Sequence, residues 1–312
     1  MRPLDAGCVR IATRSSPLAT WQARAVATAL EAAGSARGDI ELVPVRTTGD
    51  LDLSTPISEM SGRGVFVTEV QAAVLDGRAD IAVHSAKDMR SEPTPGLTLA
   101  GCLVRGDASD ALIGLALDEI PRGGVVATGS QRRQCQLAAL RGDLRFTGLR
   151  GNMARRIAAA AQPDVDAVIV AAAALERLGE SHRIAQRFSP DEIVPQAGQG
   201  AIAIEHRNDD ADIAAAAGAI IDKVTTRCVH AERAFLRTLG GGCDLPTGAH
   251  ATVDADGRLS MTAMLAAPDH GGIERATRSD ADGELLGTVL AHELMALTGT
   301  DAATWASRAD DV

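Results

Sequence analysis

Tyrosine is absent from this chain, and aromatic residues as a whole are scarce, with two Trp and four Phe among 312 residues. Single-stranded nucleic acid is usually held by stacking its bases on aromatic faces, so the platform for that partner is missing. The formal net charge of −10 argues the same way. Long apolar runs are also missing: the longest, residues 167–175, is nine residues, against the roughly 20 that span a bilayer, so no transmembrane helix is expected. The five cysteines (Cys8, Cys102, Cys135, Cys228, Cys243) are odd in number, dispersed, and never in a Cys-x-x-Cys pair. That excludes a disulfide framework and a zinc-finger site as readings. His292-Glu293-Leu294-Met295-Ala296 begins like a zinc-protease helix but has no second His. The first eight residues end like a lipoprotein cleavage site, yet no apolar stretch precedes Cys8, and a cytosolic location is expected.

What the chain does have is a strip of one charge. Residues 121–160 hold eight arginines (Arg122, Arg132, Arg133, Arg141, Arg145, Arg150, Arg155, Arg156) against one acid, Asp143, a net +7 inside an acidic chain. Like charges repel unless something compensates them, and guanidinium forks match carboxylate and phosphate oxygens in bidentate geometry. The strip points to a small polyanion as ligand.

Alternating periodicities predict an α/β fold. Strand patterns at 8–13, 40–45 and 79–83 alternate with a helix opened by Ser16 and Pro17, its apolar face including Val26, Leu30 and Ala33, and a helix from Phe66 to Leu75 with Val67, Val70 and Val74 on one face. The pattern returns after Asp110, with strands at 111–115, 124–128, 144–147 and 167–170 and helices after Ser130 and Asn152. Polar or Gly/Pro-containing crossings at 104–109 and 193–200 suggest that the chain leaves one lobe, builds a second and returns. A long helical stretch to Leu239, strands at 248–253 and 259–265 and a helix at 281–297 complete the reading. No sequence repeat relates the halves, so any kinship is topological. The domains expected are 1–104 with 197–217, 105–196, and 218–312.

Three constellations are candidates for chemistry. Thr128-Gly129-Ser130-Gln131-Arg132-Arg133 lies where a strand turns into a helix, so backbone N–H groups, the Ser130 hydroxyl and two guanidiniums can converge on one anion; a capped helix with a solvated Arg pair is the plainer alternative. Leu149-Arg150-Gly151-Asn152, followed by Arg155 and Arg156, repeats the arrangement, although cations are unfavourable at helix N-termini. Asp88 and Lys87 follow the strand end at Val83, the edge where open α/β sheets bind ligands; the alternative is a surface charge pair, with His84 a core histidine. Finally, Gly240-Gly241-Gly242-Cys243-Asp244-Leu245-Pro246 presents a single thiol on a loop free of side-chain obstruction.

Five segments, in order, resemble the porphobilinogen deaminase (hydroxymethylbilane synthase) family: the run from Arg10 to Ala19, the run from Arg78 to Asp88, Gln131-Arg132-Arg133-Gln134-Cys135-Gln136-Leu137, Leu149-Arg150-Gly151-Asn152, and Gly241-Gly242-Cys243-Asp244-Leu245-Pro246-Thr247-Gly248. The resemblance implies three domains: two α/β lobes with mixed sheets, like those of solute-binding proteins, plus a small C-terminal α+β domain. It implies a transferase of heme and porphyrin biosynthesis that joins four porphobilinogen molecules with release of ammonia to give hydroxymethylbilane. It also implies a dipyrromethane cofactor held by a thioether to Cys243, with no metal. By resemblance Asp88 and Lys87 are catalytic; Arg132, Arg133, Arg156, Ser130 and Lys87 hold the cofactor; and Arg14, Ser16, Arg150, Arg156 and Arg177 hold porphobilinogen or the growing polypyrrole chain. A cytoplasmic monomer without nucleic-acid or membrane partners is expected.

Some positions depart from the family pattern: Glu59 and Arg63 stand where lysines are common, and Gly129 where a serine is usual. Arg141, outside the matched segments, is expected to tolerate charge reversal. Two readings from other classes compete, a non-enzymatic binding protein for a polycarboxylate and a thiol enzyme pairing Cys243 with His84 or His250.

Overall fold

The computed structural model describes residues 8–34, 39–47, 66–240, 245–267 and 272–300. In chain order the strands are β1 (Val9–Arg14), β2 (Ile40–Val45), β3 (Ile81–Ser85), β4 (Leu97–Cys102), β5 (Asp110–Gly114), β6 (Val125–Ala127), β7 (Arg145–Thr147), β8 (Ala167–Ala171), β9 (Ile184–Phe188), β10 (Ile202–Arg207), β11 (Thr247–Val253), β12 (Leu259–Ala266) and β13 (Ile273–Asp280). The helices are α1 (Pro17–Ala32), α2 (Thr68–Leu75), α3 (Gln131–Leu140), α4 (Met153–Ala159), α5 (Ala172–Arg177), α6 (Ala211–Gly218), α7 (Lys223–Thr238) and α8 (Gly283–Thr298).

Two of the three sheets share one topology. The first has strand order β2-β1-β3-β10-β4, with β1 parallel to β2 and β3 and with β10 antiparallel to β3 and β4. The second has order β7-β6-β8-β5-β9, with β6 parallel to β7 and β8 and with β5 antiparallel to β8 and β9. Each is a β-α-β-α-β run plus an antiparallel strand brought in beside its third strand. The crossing after β4 enters the second sheet, and the one after β9 returns to the first. The third sheet is an antiparallel meander, β11-β12-β13. The fold is thus α/β with mixed sheets and a small sheet-and-helix element at the C-terminal end, as expected.

By compactness the chain divides into two units. Of the described residues, one unit takes those up to Arg105 together with Ala201–Arg227; the other takes Gly106–Gly200 and those from Cys228 onward. In the first, Val9, Ile11, Val26, Leu30, Ile81 and Ile204 form a core between α1 and the sheet, and Val70, Val74 and Ala82 form a second on the opposite face, under α2. In the other unit Leu112, Val126, Leu137, Ile169 and Phe188 are buried together, while Phe235, Met261, Leu286, Leu290 and Leu294 form the core of the C-terminal meander.

Local sequence explains the elements that matter for the site. Ser16 is extended, and its hydroxyl accepts a hydrogen bond from Ala19 N at 3.3 Å, while Pro17 occupies the first turn, where a missing N–H costs nothing. Ala33 is not part of the apolar face: the helix ends at Ala32, and Ala33 is its exposed cap. The apolar run 167–175 is not one element. It divides into the fully buried β8 and the first turns of α5, because a strand of five residues already crosses the layer. The expected helical stretch to Leu239 is the single helix α7, and a further short helix, α6, precedes it. Strands β4, β9 and β13 carry no clean alternation, and periodicity missed them.

Candidate functional site

The first unit brings four of the expected residues to one sheet edge. Because β1 and β3 are parallel neighbours, their C-terminal ends lie side by side, and α1 leaves β1 toward β2 on the other side. That divergence is the switch point at which open sheets form a crevice. Arg14 closes β1; Ser85 closes β3, and the chain then makes a single 3₁₀ turn, Ala86–Asp88, carrying Lys87 and Asp88. The Arg14 guanidinium is 4.0 Å from the Asp88 carboxylate and 4.2 Å from the centre of the Phe66 ring, both groups remaining partly open to solvent. Ser16 is engaged as the cap of α1. Gln22, buried on α1, exchanges hydrogen bonds with Ser85 Oγ (2.9 and 3.2 Å) and fixes the strand end from which the Lys87–Asp88 turn departs.

The arginine at the other end of β1 has a different fate. Arg10 donates from its backbone and from Nε and Nη2 to Asp80 at 2.7–3.1 Å. Burial raises the Asp80 pKa, but the Arg10 hydrogen bonds and charge, with Arg207 nearby, outweigh it and lower the pKa below the ordinary value. Arg10 is a structural partner of Asp80, whereas Arg14 stands at the C-terminal strand edge beside Asp88. His84 is a core histidine: only 3% exposed, its Nε2 lies 3.0 Å from Glu205 Oε2, the oxygen to which Gln71 Nε2 donates at 2.8 Å. That enclosure removes it as the base of a thiol enzyme.

The second unit groups the arginines after the equivalent strand ends. Ser130 occupies the cap position of α3 in extended conformation, but its hydroxyl makes no capping hydrogen bond; instead Thr128 Oγ1 accepts from Ser130 N at 3.1 Å. Arg132 and Arg133 sit in the next turn, and neither is a solvated surface residue. Both are buried on the carboxylate of Asp110, the first residue of β5, which is completely enclosed. Arg132 Nη1 donates to Asp110 Oδ2 at 2.7 Å and to the Val194 carbonyl at 2.7 Å. Arg133 donates from Nε and Nη2 to Asp110 Oδ1 at 3.0 and 2.7 Å and from Nη1 to the Ile169 carbonyl at 3.3 Å. Gln199 Nε2 adds a hydrogen bond to the same Oδ1 at 3.0 Å. Burial pushes the Asp110 carboxyl up, but the Arg132 and Arg133 charges and the hydrogen bonds from Arg132 and Gln199 overcome it and hold the group far below the usual carboxylate range.

Asp110 corrects the bookkeeping of the arginine strip. Counted along residues 121–160 the charge is uncompensated, but the fold inserts an acid from outside the strip between its two most buried members. Arg141, Arg145 and Arg156 also have local partners. Arg141 grips Asp143 through two nitrogens (2.9 and 2.8 Å) and donates to the Leu117 and Ile120 carbonyls, so it is a structural anchor rather than a tolerant position. Arg150 follows β7; Asn152 caps α4 by accepting from Arg155 N at 3.1 Å, and Arg156 Nε donates to Gly151 O at 3.0 Å. Arg177, at the end of α5, donates from Nη2 to the Gly200 carbonyl at 2.6 Å, and burial lowers its pKa from the ordinary guanidinium value.

Gln136, buried one turn after Arg132, was not foreseen. Its amide donates to Arg132 O and Val194 O (3.2 and 3.1 Å), and its oxygen accepts from Val194 N and from Arg275 of β13 (2.8 and 3.0 Å). Gly129 has a steric reason: a Cβ there would stand 2.9 Å from the Leu149 carbonyl. Cys243, Glu59 and Arg63 lie outside the described residues. Of the other cysteines, Cys102 and Cys228 are buried, and burial raises the Cys135 thiol pKa, so none of these three is a ready nucleophile.

Fold and site together define an α/β protein with basic groups at the strand ends of each of two like sheets and a carboxylate beside those of the first. Comparison with known families is specific. A model described as porphobilinogen deaminase, dipyromethane cofactor binding domain, matches residues 9–215, and one described as porphobilinogen deaminase, C-terminal domain, matches residues 226–296. The chain belongs to the porphobilinogen deaminase family, transferases of tetrapyrrole biosynthesis that work with a dipyrromethane cofactor. Among solved structures it is similar to a YaeC-family lipoprotein from Enterococcus faecalis, with 13% identity over 69% of this chain and 92% of that one and a TM-score of 0.42. It is also similar to the periplasmic aliphatic sulphonate binding protein from Escherichia coli, with 15% identity over 74% of this chain and 70% of that one and a TM-score of 0.40. No described helix is long and apolar enough to cross a membrane.

Proposed function

We propose that the chain is a hydroxymethylbilane synthase, joining four porphobilinogen molecules head to tail with loss of one ammonia at each addition. The observation that carries this reading is the placement of Asp88 at the switch point of the first sheet, 4.0 Å from Arg14. When ammonia leaves the protonated aminomethyl group of a porphobilinogen, the carbon–nitrogen bond breaks with its electron pair on nitrogen and the positive charge passes to the pyrrole methylene, which remains as a cation. Asp88 is a fixed negative charge suited to stabilise that cation and to accept hydrogen bonds from pyrrole N–H groups. Arg14, with Lys87 on the same turn, would hold carboxylates of the incoming ring, and the Ser16 segment would frame it.

The donor set after β6 fits a dipyrromethane. Its side chains are carboxylates, and the start of α3 offers an uncommitted Ser130 hydroxyl at a helix N-terminus beside guanidiniums locked in orientation. Arg132, Arg133, Arg156, Ser130 and Lys87 would hold it, with Cys243 as its covalent anchor. Bound, the cofactor supplies the pyrrole carbon to which the first ring is joined. Arg150, Arg156 and Arg177 would take the carboxylates of the growing chain. In this reading the work divides among residues 1–104 with 197–217, residues 105–196, and residues 218–312, in a cytoplasmic monomer.

The test is an intact-mass spectrum of denatured protein. Wild type should exceed its sequence mass by two linked pyrrole units, Cys243→Ser should lose that excess, and brief exposure to porphobilinogen should add peaks spaced by one pyrrole unit. Active protein at bare sequence mass with no such ladder would overturn the reading; so would a polycarboxylate ligand bound without turnover.

A further inference from the structure

We infer that Asp110 is a positioning residue for the carboxylate-binding arginines, and that Gln199 ties it to the return crossing between β9 and β10. This rests on the proposed function in taking a carboxylate ligand as what the arginines meet. It adds a residue from outside the arginine segments, acting through its neighbours.

A guanidinium has rotatable bonds along its whole stem, and two adjacent guanidiniums repel one another. Asp110 resolves both problems at once. Its Oδ2 takes Arg132 and its Oδ1 takes Arg133, so both forks are held and the three groups together carry a net charge of one rather than two. Arg133 commits all three of its nitrogens, two to Asp110 and one to Ile169 O, whereas Arg132 commits only Nη1 to Asp110 and Val194 O. Gln199 completes the node: one amide nitrogen donates to Asp110 Oδ1 and to the carbonyls of Ala108 and Ser109. It therefore joins the outgoing and return crossings to the same carboxylate.

The test reads side-chain orientation directly. Purified holoenzyme is treated briefly with phenylglyoxal, which labels accessible guanidiniums, and the labelled arginines are mapped by peptide mass; intact mass reports cofactor loading in parallel. In wild type Arg132 and Arg133 should be protected and the exposed Arg122 labelled. In Asp110→Asn, labelling at Arg132 and Arg133 should rise at least about tenfold and loading should fall by a similar factor, while labelling at Arg141 stays constant as a check on folding. If Asp110→Asn does not fold, the pair Asp110→Asn/Arg133→Gln, which keeps the net charge of the node, carries the test through Arg132 alone, with the same rise expected. Unchanged labelling at Arg132 in a folded variant overturns the inference, as does Asp110→Asn loading to the wild-type level. A wild type without adduct would sink the proposed function while leaving the labelling comparison readable.

Discussion

Asp110 and Arg132 stand 22 positions apart in the sequence and 2.7 Å apart in space. Their contact joins β5 to α3, and with Arg133 it makes a buried ion cluster around a fully enclosed carboxylate.

Breaking that cluster on one side leaves an unpaired buried charge. Replacing Asp110 with Ala should cost about 3–5 kcal/mol of unfolding free energy, as removal of one partner from a buried pair does, measured by urea titration. The pH dependence has a definite sign. The folded-state pKa of Asp110 is depressed, so its stabilisation is complete above the unfolded carboxylate value of about 3.9 and is lost as pH falls toward the folded value. The stability gap between wild type and Asp110→Asn should be flat above about pH 5 and shrink below about pH 4. A gap that widens on acidification would contradict the assignment.

Asp88 is a different kind of acid, partly exposed and outside any buried cluster. Asp88→Asn should fold with an unchanged melting temperature and still acquire its adduct, yet turn over porphobilinogen roughly 100-fold more slowly or worse, the loss expected for one preorganised electrostatic group. Near-normal turnover would remove it from the role.

Charge reversal should discriminate placed arginines from bulk charge. Arg156→Glu should abolish or nearly abolish the mass excess at Cys243, whereas Arg122→Glu should leave it intact. Arg141→Glu, which sets a second acid against Asp143, should lower the melting temperature without affecting the adduct. Equal effects of Arg122→Glu and Arg156→Glu on loading would mean that net charge alone matters.

Gly200 lies at the end of the return crossing with φ +83°, and a Cβ there would stand 2.6 Å from the Gly106 carbonyl and 3.0 Å from that of Asp107. Gly200→Ala should cost at least about 1–2 kcal/mol for the left-handed backbone alone, and more for separating the crossings. An unfolding midpoint equal to wild type would show that the two strands part freely.

Much of the site could be read from the chain because its signals are local. The Ser16 cap and Pro17, the apolar strand running into Lys87 and Asp88, and the Gly129-Ser130 turn into Arg132 each depend on residues within one or two turns of one another. The α/β alternation and the two crossings are also legible along the chain, through hydrophobic period and Gly/Pro punctuation. The sequence by itself did not determine that Arg10 and Arg14, four residues apart on one strand, serve opposite ends of the sheet with different partners. Nor did it place Asp110 between Arg132 and Arg133, or Gln136 between Val194 and Arg275. Those are long-range pairings, set when strand order brings distant segments together, and a buried ion pair leaves no periodic trace in a sequence. Local pattern thus marks most of the elements, while β4, β9 and β13 and the neutralisation of charges in the interior depend on strand order, which brings distant segments together.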